Sequence, residues 1–355
     1  MSTEAFWEPT QIGALSLPHR LALAPMTRSR AQADGTPTEL NALYYAQRAS
    51  TALVITEGVQ PSDDGQGYLV TPGIYTDEHI AGWRHVTDSV HDAGGWIVIQ
   101  LMHVGRIAHP DNTPHGRRSV APSAIAPAGK IFTAEGMLDM PEPRAMSTDE
   151  VAQTVQDFRH AAASAIAAGA DGVEIHGANG YLVHQFLSTN ANRRMDRYGG
   201  SIENRIRFAV EVAGAIADEI GADRTGIQIS PGNPFNDMVE DDTAALYGAL
   251  LRALASLELA YLNVAHQGDE QLLASLRRDW PGNLVLNRGS ADLETRAKDL
   301  VDGTADLVTA GRMALANPDL VDRVKAGAAL NEPDPSTFYG GDERGYTDYP
   351  TMERA

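Results

Sequence analysis

Not one of the 355 residues is a cysteine, so disulfides, thiolate metal sites and cysteine nucleophiles are excluded. A cysteine-free chain tolerates either redox compartment and fits the cytoplasm. Lysine is almost as scarce, with only Lys130, Lys298 and Lys325. No apolar run reaches the ~18 residues of a membrane span. The opening MSTEAFWEPT lacks a basic-then-apolar leader, so a cytoplasmic protein with no membrane partner is expected. Positive charge is in deficit too: 28 Lys and Arg stand against 47 Asp and Glu, a formal net charge of −19. Such a surface repels nucleic acid and anionic membrane, which leaves small molecules as partners, for a monomer or a homodimer.

What is present is an alternation. Short β-branched runs alternate with longer helical patterns, which predicts parallel βα units. Strands are expected at Leu21–Ala24, Ala52–Thr56, Trp96–Gln100, Gly172–His176, Gly226–Ser230, Tyr261–Ala265, Leu284–Asn287 and Leu307–Ala310. Ser147 and Glu150 form a capping box, and Asn317 before Pro318 reads as an N-cap with proline at the first helical position. Eight such units predict an α/β fold, a closed (β/α)8 TIM barrel making a single domain over 1–355. An N-terminal hairpin near Gln11–Leu17 is expected to cap the barrel floor. The Pro- and Gly-rich stretch 102–147, after strand three, is too long for an ordinary loop and predicts a lid or subdomain. The tail after Asn331 carries Phe338, Tyr339, Tyr346 and Tyr349, and so many rings predict a docked segment.

The active site of such a barrel lies at the C-terminal ends of its strands. Polar residues where the apolar runs stop are Thr27, Gln100, His103, His176, Asn179, Tyr181, Gln228, Arg288 with Gly289, and Gly311 with Arg312. A lone polar residue there is more often a satisfied structural group than a catalyst, and His103 is given that ordinary role. The cluster His176, Asn179 and Tyr181 is harder to dismiss. Val173 and Ile175 face the helices, so His176 shares the barrel side with Glu174, and three polar side chains leave one strand end together. Gly289, Ser290, Gly311 and Arg312 read either as tight turns with a surface arginine or as a phosphate site after strands seven and eight; barrels of this kind favour the second.

Absences narrow the chemistry further. No strand ends in lysine, which argues against Schiff-base chemistry. No H-x-H follows strand one and no H-E-x-x-H or clustered carboxylates occur, so no metal is expected. Neither a G-x-S-x-G elbow nor a G-x-G-x-x-G or Walker loop is present. A phosphate-anchored, non-Rossmann ligand facing a His/Asn/Tyr cluster remains.

Several blocks resemble the Old Yellow Enzyme family: LALAPMTRSRA at 21–31, QLMHVGR at 100–106, HGANGYLVHQFLS at 176–188 and NRRMDRYGGSIENRIRF at 192–208. AGRMALANPDL at 310–320 and the terminal STFYGG and GYTDYP continue the likeness in the same order. The resemblance implies non-covalent FMN on the barrel top, reduced by NAD(P)H, and reduction of activated C=C bonds of α,β-unsaturated carbonyl or nitro compounds. It implies that Pro25, Met26 and Thr27 lie along the flavin and that Gly58 and Gln100 touch its edge. Gly289, Ser290, Gly311 and Arg312 are implied to hold its phosphate. It further implies that His176 and Asn179 bind the substrate oxygen and that Tyr181 donates the proton, with Tyr68, Met102 and Tyr339 lining the pocket. Gln228 stands where the family usually has arginine beside flavin N1 and O2, so the flavin is expected to be harder to reduce, unless Arg288 supplies the charge instead. Met102 and Val104 stand where related bacterial reductases often carry Trp and Thr. Ser201 reads as an N-cap, and Asn204 and Arg205 as tertiary anchors. Competing readings are a nitrate-ester or nitroarene reductase, a flavin enzyme that isomerises without net reduction, and a flavin-binding barrel with weak turnover on account of Gln228.

Overall fold

A computed structural model describes residues 3–352. Strands β1 (Thr10–Ile12) and β2 (Leu15–Leu17) pair antiparallel as the expected hairpin. Gly13 makes its turn at φ +54°, and a Cβ there would meet the Asp223 carbonyl at 2.1 Å, so only glycine fits. Ile12, Leu15 and Leu17 pack on Ala22, Leu53, Val98, Val285 and Leu307, the inward residues at the barrel floor.

Barrel strands β3 (Leu21–Leu23), β4 (Val54–Val59) and β5 (Ile97–Leu101) follow. An insertion then carries β6 (Val120–Ala121), β7 (Lys130–Thr133), β8 (Gly136–Asp139) and β9 (Arg144–Ala145). The barrel resumes with β10 (Gly172–Gly177), β11 (Thr225–Ile229), β12 (Tyr261–Ala265), β13 (Leu284–Asn287) and β14 (Leu307–Ala310). All eight barrel strands are parallel and close in chain order, β14 pairing β3. Each lies where the apolar runs predicted it, within a few residues. Strand β4 reaches further than expected, with a register shift between Ile55 and Gly58, and this brings Gly58 to the barrel top.

The helices are α1 (Glu39–Ala46), α2 (Asp77–Asp92), α3 (Thr148–Ala167), α4 (Leu182–Leu187), α5 (Ile202–Ile220), α6 (Thr243–Ala255), α7 (Glu270–Asp279), α8 (Leu293–Val301), α9 (Arg312–Ala316) and α10 (Leu320–Ala326). Alternation sorts the strand residues: Val173 and Ile175 join the helix-side core with Phe158 and Val212, while Glu174 faces the barrel axis. None of the described helices is long and apolar enough to cross a membrane. Ser147 and Glu150 make the capping box of α3, and Ser201 caps α5. Arg205 donates to the Leu187 carbonyl and pairs with Asp242, the anchoring role foreseen for it.

One helix start needs correction. Asn317 and Pro318 do not open a helix; α10 begins at Leu320 and Asn317 follows the end of α9. The Asn317 side chain donates to the Met313 carbonyl at 2.8 Å and accepts the Asn331 N–H at 2.7 Å. A tertiary link to the tail has taken the amide that a cap would use.

The tail is docked, chiefly through its backbone. Arg28 donates to the carbonyls of Phe338 (3.0 Å) and Gly345 (2.8 Å), and Arg30 to those of Thr337 (3.0 Å) and Asp342 (2.9 Å). Tyr346 is fully buried and stacks on Tyr44 at 4.2 Å. Tyr349 accepts the Asp334 N–H, whereas Tyr339 stays 70% exposed at the barrel mouth.

Candidate active site

A cavity of about 250 Å³ opens at the C-terminal end of the barrel. Strand ends supply Pro25, Met26, Thr27, Gly58, Gln100, Met102, His176, Asn179, Tyr181 and Arg312 to its wall, and the tail supplies Tyr339. Glu57 fixes the segment after β3 by accepting the N–H groups of Arg28 (2.9 Å) and Ser29 (3.0 Å). Gly58 packs against Met102, whose Sδ would lie 2.5 Å from a Cβ at that position, so the missing side chain makes room for Met102 in the cavity wall.

His176 has its polarity set by the backbone. Its Nδ1 lies 3.3 Å from the Ala178 N–H, which can only donate, so in the neutral ring the proton sits on Nε2. Burial, followed by the nearby His184, pushes its pKa down to about 3, so the ring is neutral at physiological pH. Nε2–H is therefore an uncharged donor with no partner among the described residues, on a ring that lines the cavity.

Tyr181 packs edge-on against this ring at 4.8 Å, and its hydroxyl is 3.0 Å from that of Tyr68. Burial raises the Tyr181 pKa to about 12, so its proton stays in place until a strong base claims it. Tyr68 thus joins the site through Tyr181. Both phenols belong to one apolar cluster with Ile131 and Met140 of the insertion. His103 is a satisfied buried histidine whose Nδ1 accepts the Gly105 N–H at 3.1 Å; burial lowers its pKa to about 4.

Beneath the cavity the barrel axis is polar. Gln100 Nε2 donates to Glu174 at 2.7 Å and to the Gln228 side-chain oxygen at 3.2 Å. Asn263 donates to the other Glu174 oxygen at 2.8 Å. Gln228 therefore lies under the cavity as its alternation predicted, without lining it.

The expected phosphate residues divide. Arg312 lines the cavity and has no carboxylate or hydrogen-bond partner among the described residues; its guanidinium lies 5.7 Å from the Phe338 ring centre. Gly311 precedes it. Gly289 and Ser290 are exposed beyond the lining, and the Gly289 N–H already donates to Asn287 Oδ1 at 2.9 Å.

Arg288 does not join the site, contrary to expectation. Leu284 and Leu286 of β13 face the helices, and Arg288 continues that side. Its guanidinium pairs with Asp299 at 2.7 Å and Glu270 at 2.6 Å in the helix layer.

Sequence reasoning missed Phe235, Leu315 and Phe338, which complete the wall. It also missed the supports of the 176–181 turn. His184 Nδ1 accepts the Gly180 N–H at 3.0 Å, and its Nε2 lies 2.6 Å from Glu240. Asn179 sits at φ +55°, in the left-handed region. There its N–H donates to the Ser230 hydroxyl (2.8 Å) and its carbonyl accepts from the Asn236 side chain (2.8 Å). These partners lie some fifty residues away, and no local pattern announces them.

The profile of the NADH:flavin oxidoreductase / NADH oxidase family matches residues 5–331. The chain is 44% identical to a probable flavin mononucleotide-dependent alkene reductase of Leishmania infantum, over 99% of this chain and 98% of that protein. It is 41% identical to 12-oxophytodienoate reductase 1 of Oryza sativa subsp. japonica, over 97% and 92%. Among solved structures it superposes on morphinone reductase in complex with tetrahydroNAD with TM-score 0.94, at 44% identity and 98% coverage of both chains. On the Old Yellow Enzyme homologue from Zymomonas mobilis the TM-score is 0.95, at 36% identity, covering 98% of this chain and 100% of that one.

Proposed function

Because the chain belongs to the NADH:flavin oxidoreductase / NADH oxidase family, we propose that this FMN-dependent, nicotinamide-reduced enzyme reduces activated C=C bonds of α,β-unsaturated carbonyl or nitro compounds. One observation carries the reading: a neutral His176 with its N–H on Nε2, Asn179 and a protonated Tyr181 meet in a single cavity.

The residues fit FMN. Gly58 and Arg312 both line the cavity, and Arg312, a cation without a carboxylate or hydrogen-bond partner among the described residues, suits a phosphate. Pro25, Met26, Thr27 and Gln100 would border the ring, with Gly311 at the phosphate end and Gly289 and Ser290 further along the rim. When bound, the flavin supplies the hydride for the alkene β-carbon after its own reduction by the nicotinamide. His176 Nε2–H and Asn179 hold the activating oxygen. Negative charge grows there as the double bond is reduced, so fixed donors stabilise the transition state more than the ground state. Tyr181 gives its proton to the α-carbon, a base strong enough to take it from a phenol of raised pKa. Tyr68 supports that hydroxyl, Met102 and Tyr339 shape the substrate end, and the 102–147 insertion acts as the lid. Arg288 is held by Asp299 and Glu270, so an altered flavin potential would rest on Gln228 alone.

The test is a spectrum. The purified protein should show a flavin band that NADPH or NADH bleaches under anaerobic conditions and that 2-cyclohexenone restores. Bleaching that no enone or nitroalkene reverses would sink the reading. Arg312→Ala should weaken FMN binding about tenfold, the low end for a lost charge-assisted contact. Fluorescence titration of the apoprotein measures it, and unchanged affinity would place the phosphate elsewhere.

A further inference from the structure

The side-chain amide of Asn179 can turn over with little change of shape, presenting the cavity with either two donor hydrogens or an acceptor oxygen. The contacts of its backbone with Ser230 and Asn236 fix where the side chain sits but leave that choice open. A second asparagine, outside the cavity wall, removes it. The Phe235 N–H donates to Asn233 Oδ1 at 3.0 Å. A backbone N–H can only donate, so Oδ1 must face it and Asn233 Nδ2 must face the other way. There Nδ2 donates to Asn179 Oδ1 at 2.9 Å. Turning Asn179 over would set one NH2 group against another.

With Oδ1 engaged, Asn179 Nδ2 has no partner among the described residues, and Asn179 lines the cavity. Asn233 itself is buried, and its own N–H donates to the Ser230 carbonyl at 3.2 Å. The polarity thus passes from a backbone group with no alternative, through Asn233, to the cavity. We propose that Asn233 is a positioning residue that fixes Asn179 as a hydrogen-bond donor, confining this end of the site to ligands that present an acceptor oxygen. The proposal rests on the reading above that Asn179 touches the ligand oxygen.

The test uses the FMN-loaded protein and p-nitrophenol, whose phenolate form can only accept and whose neutral form can donate. Binding is titrated across the ionisation of the phenol for wild type, Asn233→Asp, Asn179→Ala and the double variant. Asn233→Asp keeps the acceptor for the Phe235 N–H but presents oxygen to Asn179, whose amide then turns over. Affinity for the phenolate should fall about tenfold or more, while the neutral phenol loses much less. A general loosening of the loop would weaken both forms alike. Direct repulsion by the new carboxylate is separated by the cycle: with Asn179→Ala already in place, Asn233→Asp should cost almost nothing.

A full loss in the Asn179→Ala background, or wild-type phenolate preference in Asn233→Asp, overturns the proposal while leaving Asn179 as a ligand contact. Wild-type binding in Asn179→Ala overturns that contact and the proposal with it. Should Asn233→Asp fail to fold, Asn233→Ala serves in the same cycle. The freed amide then divides between two orientations and the phenolate loss is about twofold, abolished when Asn179 is absent; no loss in Asn233→Ala overturns the proposal.

Discussion

Tyr181→Phe is expected to slow reoxidation of the reduced enzyme by an enone by ~10²–10⁴-fold, the range for removing a positioned general acid, or about 2.7–5.4 kcal/mol of barrel-top catalysis. Reduction by the nicotinamide should stay near wild type, since no proton from a phenol is needed there. The ring would remain edge-on to His176 and the hydroxyl's contacts with the Tyr68 hydroxyl and the Asn236 side chain would go, so folding and cofactor content should hold. Stopped-flow measurement of the two half-reactions separates the cases. An equal loss in both would make Tyr181 a packing residue. Tyr68→Phe serves as the comparison: it removes the supporting hydroxyl and leaves the acid in place, so its loss should be much smaller.

Glu174 yields the second large effect, on stability. Burial in the barrel axis raises its pKa from 4.5 to about 7, and the bonds from Asn263 and Gln100 only partly oppose this. Tyr261 is the titratable neighbour that acts on it, from β12, and its own pKa lies well above 10. Folding therefore favours the protonated acid. Between pH 4.5 and pH 7 the unfolded chain gives up this proton before the folded one, so stability falls as pH rises and levels off above about 7. The drop amounts to about 3 kcal/mol. Glu174→Gln keeps the size and cannot ionise. The difference in stability between variant and wild type should shift by that amount in the variant's favour from pH 4.5 to pH 8. For a chain of this length that is about 4 °C in Tm. A gap that does not change with pH would mean the carboxyl titrates as it does in the unfolded chain.

The barrel was open to reading because buried parallel strands are written as short β-branched runs, and eight such runs at helix-sized spacing leave few other architectures. The cavity wall was readable for a related reason, since strand ends converge on one mouth. Where reading failed, the cause differs from residue to residue. Arg288 lies on the same side as Leu284 and Leu286, a signal present in the sequence, and the alternation that places Gln228 inward on β11 places Arg288 outward on β13. Asn317 carried a correct local signature that a distant partner overrode, the Asn331 backbone. Asn233, Asn236 and Phe235 act on residues about fifty positions earlier, across a gap closed only by the fold. Loops reveal their contacts in space, seldom in order.

The way Arg28 and Arg30 grip the tail bears on how such a pocket can change over generations. Their hydrogen bonds end on peptide carbonyls of residues 337, 338, 342 and 345, which every amino acid carries. Apart from the Tyr346 ring, over which both guanidinium groups lie at 5.0 and 4.4 Å, these bonds take no account of the side chains that the segment displays. Phe338 and Tyr339, which form part of the cavity wall, can therefore be exchanged without loosening the strand of chain that bears them. A barrel built this way separates anchorage from selectivity: new substrates can be explored by mutation at two wall positions, at little risk to the fold.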